Sequence, residues 1–304
     1  MTVDSQSQVL VTGGAGFIGR RLVRALLDEG HEVISVDRHP SADRRARSVT
    51  GDLRDPATAA DAVLPGTHAI VHLAAVTSVV NSMTDPVGTF KLNVEATANL
   101  LELARTRGVG SFLLASTNAV TGNVGGTTIN EAIALRPLAP YGATKAAAEM
   151  LLSAYAASYG MHAVALRFSY VYGPGMQSKD SFIPRLMRAA RDGHGVQVRG
   201  DGSMLRDVVH VDDIVAGILL AWRSEHNGPL ILGSGQSVTV TEMVETARLV
   251  TGAPLPIEHV PVGPGEMPAV VLDISAARAL GYRPTYDLKA GMATVWPEFS
   301  EAAK

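Results

Sequence analysis

The stretch "QVLVTGGAGFIGRRLVRALLDEGHEVISVD", residues 8–37, decides the architecture. It opens on a short apolar run, "QVLVT", with the β-branched residues that favour strands. Glycines follow, and then Phe17, Ile18, Leu22, Ala25 and Leu26 recur at the spacing of one helix face. Gly30 stops that helix, and "HEVISVD" (31–37) reads as a second strand. A strand, a glycine turn, a helix and a strand in this order form a crossover unit, which joins parallel neighbours in one sheet.

The pattern continues downstream. "HAIVHLAAV" (68–76), "SFLLAST" (111–117) and "HAVALRFSYVYG" (162–173) read as strands. Helices are expected at about 86–107 and over the alanine-rich segment 141–159. Runs such as "AIVHLAA" lack strict alternation, as strands covered on both faces do. The expected fold class is therefore α/β, with a Rossmann-type doubly wound parallel sheet. After about residue 173, Gly and Pro punctuate shorter elements, with helices predicted at 182–192, 211–223, 240–251 and 287–299. Residues 1–173 are read as a dinucleotide-binding domain to which 205–235 returns. Residues 174–304 are read as mainly a smaller, loop-rich substrate-binding lobe.

Composition narrows the function classes. The 304 residues are 46% hydrophobic and 18% charged, with a formal net charge of −3, which offers no electrostatic reason to bind nucleic acid or an acidic membrane. The chain has no cysteine, which excludes disulfides, thiolate metal sites and cysteine nucleophiles. "MTVDSQSQ" lacks the charged-then-apolar pattern of a signal peptide, and no apolar run approaches the roughly 20 residues of a membrane helix. A soluble, cytoplasmic protein is the expectation. The clustered carboxylates of "HVDD" and "GDLRD" invite a metal, but Asp212 and Asp213 open a predicted helix and are read as caps. No metal is expected, and His72 and His210 are read as packed, hydrogen-bonded side chains.

Gly13, Gly16 and Gly19 stand directly after a strand and at a helix opening. There glycine permits a tight turn, close backbone approach to a pyrophosphate and close helix–strand packing. The diphosphate then rests at the positive helix end. Asp37, at the end of the second strand, can accept both ribose hydroxyls and repels a 2′-phosphate, which favours NAD over NADP. Arg38, Arg44, Arg45 and Arg47 nearby are read as a solvated loop. Asp52 and Leu53 lie where an adenine edge would be met. Tyr141 and Lys145 stand at i and i+4, so their side chains can meet. That spacing by itself fits a phenol and an amine sharing one helix face as well as it fits chemistry.

Taken together, "TGGAGFIG", "GDLRD", "HLAA", "YGATK", "RFSYVYGPG" and "RDVVHVDD" resemble, in this order, the extended short-chain dehydrogenase/reductase family. Within it they resemble the NAD-dependent sugar-nucleotide epimerases and dehydratases. The resemblance implies that Gly13, Gly16, Phe17, Ile18 and Gly19 hold the diphosphate of NAD and Asp37 its adenosine ribose, with Arg38 beside it. Asp52 and Leu53 would border adenine, Leu73, Ala74 and Ala75 would line the cofactor, and Asn93 would support that wall. Thr117 falls at the family's catalytic Ser/Thr, with Ser116 a possible substitute, and Tyr141 and Lys145 are its YxxxK pair. Lys145 would also hold the nicotinamide ribose. Substrate contacts are implied at Thr77, Ser78, Thr117, Asn118, Tyr141, Tyr170, Arg185, Val198, Arg206 and Glu266. A homodimer through helices 86–107 and 141–159 is implied as well.

A free phenol titrates near about 10, too high for a base at neutral pH. A nearby ammonium, the nicotinamide charge and a helix N-terminus would all favour the phenolate. Tyr141 would then take a sugar hydroxyl proton while hydride leaves the same carbon. Dehydratases of the family place Asp-Glu after the catalytic Thr, whereas Asn118 and Ala119 follow it here. The reading that results is epimerisation of a nucleotide sugar, a UDP-hexose or UDP-hexuronate at C4. The alternatives are a reductase of a 4-keto deoxysugar nucleotide and a non-catalytic dinucleotide sensor.

Overall fold

The computed structural model describes residues 6–262 and 269–300. Its main sheet comprises β1 (Gln8–Thr12), β2 (Glu32–Asp37), β3 (Arg47–Thr50), β4 (Thr67–His72), β5 (Ser111–Thr117), β6 (His162–Phe168) and β10 (Gly228–Leu232). The order is β10-β6-β5-β4-β1-β2-β3, and every pairing is parallel. Direction along the sheet reverses between β1 and β4, where doubly wound sheets open a crevice at the carboxyl ends of their strands.

Successive residues of each strand feed two separate cores. Val9 and Val11 join Leu22 and Leu26 of α1 (Gly19–Asp28) and Ile214 of α8 (Val211–Arg223). Leu10 turns the other way, toward Leu100 of α5 (Ala96–Thr106) and Leu152 of α6 (Pro140–Tyr159). Helix α2 (Pro56–Ala62) covers the same second face through Ala59 and Ala62. Burial on both sides is the physical reason these strands read as apolar runs rather than alternating ones.

Two elements differ from the sequence expectation. The helix expected over 86–107 is α4 (Pro86–Phe90), a π turn at Lys91–Glu95, and then α5. It follows the short α3 (Val79–Thr84). π turns recur at functional positions, and this one holds the buried Asn93. The strand expected over 162–173 divides at Ser169, whose N–H donates to Leu232 O and whose hydroxyl donates to Asp207 O. Beyond it, β7 (Tyr170–Tyr172) leaves the main sheet to pair with β9 (Leu205–His210), which also pairs with β11 (Ser237–Thr239). Of the 205–235 segment, β10 therefore lies in the main sheet and β9 in the three-stranded one.

A third core fills the carboxyl-terminal half, with Leu186 of α7 (Phe182–Asp192), Val198 of β8 (Val196–Arg199), Met243 of α9 (Val240–Thr251) and Phe299 of α11 (Leu288–Ser300). β8 pairs with β12 (Ile257–Val260), and α10 (Ser275–Ala279) packs beneath β10. Among the described residues no helix is long and apolar enough to cross a membrane.

Candidate active site

The glycine turn is built for close approach. Gly13 has φ +69°, and a Cβ there would stand 2.9 Å from the Ala74 nitrogen, so the turn after β1 lies against the segment after β4 only because the side chain is missing. A Cβ on Gly19 would fall 2.0 Å from Gly13 O, which is how α1 starts directly over the turn. No side chain caps α1, and its first turn holds no acidic residue, so its positive end is left for an anion. Asp37 is half-buried at the end of β2 and is tied to the turn by Ala15 N (3.2 Å). Arg45 is committed to Asp43 and Asp28, which removes one of the cations able to hold a 2′-phosphate. Arg38 is exposed. This cradle fits the diphosphate and an unphosphorylated adenosine ribose.

The wall beside it is braced by Asn93. Its Oδ1 accepts from Val76 N (2.8 Å), and its Nδ2 donates to Val76 O (3.0 Å) and to Thr144 Oγ1 (3.0 Å) on α6. Leu73, Ala74 and Ala75 are half-buried along this wall, and Ala74 N donates to Thr12 Oγ1. The same Thr12 hydroxyl meets His72 Nδ1 (2.6 Å), and Thr97 Oγ1 meets Nε2 (3.0 Å). Burial, with Lys145 nearby, pushes the His72 imidazole down to about 3, so it is a neutral packing group.

Thr117 ends β5 and caps the short 3₁₀ turn Asn118–Thr121, its Oγ1 accepting from Ala119 N (3.2 Å). Gly142 lets α6 begin against that turn, because a Cβ there would lie 2.8 Å from Ala119 O. The N-cap residue of α6, Ala139, has no side chain to offer, and Ser82 Oγ of α3 accepts from Tyr141 N instead (3.1 Å). Tyr141 is half-buried beside Thr117, and Lys145 one turn later is 2% exposed, with Nζ donating to Ala115 O (2.8 Å).

Burial raises the Tyr141 phenol above its ordinary value, and the Thr117 hydroxyl only opposes this; the Lys145 ammonium does not bring it down in the protein by itself. Burial instead lowers Lys145 to about 8, against the pull of Glu149.

Other expected residues sit elsewhere. Ser116 faces away from Thr117, as neighbours on a strand do, and its buried hydroxyl donates to Glu149. Val198 (1% exposed) and Leu53 (4% exposed) are packed in cores, so their side chains do not line a cleft. Asp52 is held at about 2 by Arg54. Ser78 caps α3 through Asn81 N (3.1 Å), and Thr77 is exposed. Tyr170 and Arg185 are exposed, the latter near Asp180, while half-buried Arg206 donates to Leu205 O. Asn118 is buried beside Thr117, and its amide nitrogen has no partner among the described residues. Glu266 lies outside the described residues. Asp212 and Asp213 do not cap α8: His210 Nδ1 does, by accepting from Asp212 N (3.2 Å). Asp212 pairs with Arg21, and Asp213 accepts from Thr285 N and Oγ1. Sequence reading passed over Glu149 and Arg167, although Glu149 continues the Tyr141–Lys145 spacing by one further turn.

A parallel sheet with this glycine turn, and with Thr, Tyr and Lys gathered at its carboxyl edge, defines a dinucleotide-dependent α/β fold. The chain belongs to the NAD-dependent epimerase/dehydratase family, whose model matches residues 9–233. It is similar to the UDP-glucose 4-epimerase of Thermotoga maritima solved with UDP-glucose, with a TM-score of 0.93 and 30% identity over 98% of this chain and 100% of that one. It is also similar to MoeE5 solved with UDP-glucuronic acid and NAD, with a TM-score of 0.89 and 37% identity over 98% and 100% of the two chains. The dTDP-glucose 4,6-dehydratase of Streptomyces niveus is 34% identical, covering 91% of this chain and 88% of the relative.

Proposed function

We propose that this chain epimerises a nucleotide sugar, a UDP-hexose or UDP-hexuronate, at C4, with NAD as its cofactor. The observation that carries the reading is a Thr117–Tyr141–Lys145 cluster followed by Asn118 and Ala119. Elimination needs a further acid and base beside the sugar, and neither an amide nor a methyl group can serve. The dehydratase relative argues for the family but not against this distinction. UDP-glucose in the Thermotoga maritima epimerase and UDP-glucuronic acid in MoeE5 support the substrate class.

NAD, when bound, would supply the hydride acceptor and donor for the oxidation and reduction at C4. Gly13, Gly16, Gly19, Phe17 and Ile18 would hold its diphosphate, Asp37 the adenosine ribose and Lys145 the nicotinamide ribose. Tyr141 takes the C4 hydroxyl proton on oxidation and gives it back on reduction, which leaves no net proton change. A phenol raised by burial keeps its proton tightly, so positive charge close to its oxygen is what makes this exchange possible at neutral pH. The Thr117 hydroxyl orients the reacting oxygen. The unpartnered Asn118 amide is a donor for a sugar hydroxyl, since leaving it buried and unsatisfied costs about 1–3 kcal/mol.

The test is incubation of the purified chain with UDP-glucose, UDP-galactose, UDP-glucuronate and dTDP-glucose, read by chromatography and NMR. A mixture of C4 epimers with no net change in NAD is the expected result. A 4-keto-6-deoxy product, or stoichiometric consumption of reduced nicotinamide, would replace this reading with dehydratase or reductase.

The dimer belongs to the same proposal. Val80, Met83, Val87 and Met150 are each at least 60% exposed on α3, α4 and α6, the elements flanking Tyr141. A second copy seated on this apolar face would cover it. Light scattering should give twice the chain mass, and Val87→Glu with Met150→Glu should give a monomer.

A further inference from the structure

Behind Lys145 lies a buried charge cluster that the proposed mechanism does not use. Glu149 sits one turn further along α6 and is 6% exposed; Arg167 on β6 is 3% exposed. The two form a bidentate pair, with Arg167 Nη2 at 2.7 Å from Oε2 and Nε at 3.1 Å from Oε1. Ser116 Oγ donates to the same Oε1, and Arg167 Nη1 donates to Glu131 O (3.1 Å). Every donor and acceptor here comes from a different element: β5, α6, β6 and the loop at Glu131. Such a pair adds little net stability over apolar packing, because desolvation of both ions offsets their attraction. Its placement suggests another use.

We propose that Glu149, fixed by Arg167 and Ser116, is a positioning residue that keeps the buried Lys145 side chain, one turn back on α6, charged where Nζ meets Ala115 O of β5. Lys145 spends a hydrogen bond on Ala115 O rather than on the Glu149 carboxylate. The carboxylate thus acts through space and leaves the ammonium's other donors unclaimed among the described residues. The groups around Lys145 are Tyr141 and Glu149 on α6 and neutral His72 on β4, with Arg167 on β6 behind Glu149. Glu149 is therefore the negative charge that offsets the burial of Lys145. Arg167 and Ser116 hold that carboxylate at its place so that it does not close directly onto Nζ. This inference rests on the proposed function only for what Lys145 serves.

The test reads Lys145 itself. The chain has five lysines, so labelling lysine at Cε gives a spectrum simple enough to assign Lys145 by its loss in Lys145→Met. The full chain as purified should show Lys145 titrating near the value of about 8 that its burial sets. In Glu149→Gln, with Arg167 still charged, the midpoint should fall by about one pH unit or more. An unchanged midpoint in a folded Glu149→Gln chain would overturn the proposal. If that variant does not fold, the double variant Glu149→Met/Arg167→Met, which removes both charges together, decides. A midpoint below that of the parent chain supports the proposal, and one equal to it or above it rejects it. Because the readout needs no substrate, a lowered midpoint in a chain inactive on every sugar tested would keep this inference and discard the epimerase reading.

Discussion

The carboxyl end of β5 and the segment running from β7 through α7 are built to opposite designs. At the first, the polar side chains are buried and most have a fixed partner: Lys145 on Ala115 O, Asn93 on Val76, Glu149 on Arg167. At the second, Tyr170 and Arg185 stand exposed, and among the described residues the Arg185 guanidinium meets Asp180 at 3.7 Å. The contrast teaches where precision is needed. On the proposed function, proton transfer depends on sub-ångström placement, and its groups are set into the sheet and its first helix after β5. On the proposed function, sugar recognition is completed when a ligand arrives, and its groups are left in water.

The strongest way to break this comparison is Tyr141→Phe. Loss of the phenolic proton carrier should lower turnover about 10²–10⁴-fold, with cofactor retention unchanged. Substantial turnover remaining in a folded Tyr141→Phe chain would move the chemistry away from the β5 end altogether.

Next in size is Asp37→Ala. It removes a charged acceptor that Ala15 N already orients, so affinity for NAD should fall by about 1.5–3 kcal/mol while that for NADP changes less. Calorimetry with both dinucleotides measures the difference. Equal losses for both would mean that Asp37 serves only the turn.

Burial at the catalytic end also implies a pH signature. The folded value of His72, about 3, lies below its ordinary 6.5, so an unfolded chain binds the proton more readily. The contribution to stability is complete above about pH 6.5 and is lost as pH falls toward about 3, amounting to about 2 kcal/mol by pH 5. Urea titrations from neutral pH downward should show this slope, and His72→Asn should flatten it. An unchanged slope in His72→Asn would assign acid sensitivity to other groups.

The same contrast governs what could be read without coordinates. The glycines, Asp37, Thr117 and the Tyr141–Lys145 spacing are local signals, because each residue acts within a turn of its neighbours. Ser116 failed for a local reason too: adjacent strand residues point to opposite faces, and only the sheet's two covers show which face meets the cleft. β3, exposed at the sheet edge with the pattern "RSVT", carries no apolar run to announce it. The break at Ser169 depends on Asp207, distant in sequence, and the π turn at Asn93 depends on Val76 and Thr144. Val198, implied as a substrate contact, lies instead in the carboxyl-terminal core on β8, where β12 pairs with it. Long-range pairing, not composition, decided each of these.

The smallest expected effect gives the sharpest test of the recognition side. Arg185 is 57% exposed on its side chain and faces an Asp180 that is 87% exposed, a pairing that water screens to well under about 1 kcal/mol. Removing it as Arg185→Ala should leave the fold and kcat untouched and change KM for a neutral UDP-hexose by less than about 3-fold. A UDP-hexuronate carries a carboxylate that this guanidinium could meet, so the same variant should raise KM more for the acidic sugar than for the neutral one. Equal, small effects on both would leave Arg185 a solvated side chain and pass acid recognition to other groups. A loss of 10-fold or more on both would mean that the exposed lobe closes over substrate and becomes as ordered as β5 and α6, and the contrast between the two regions would then hold only for the ligand-free protein.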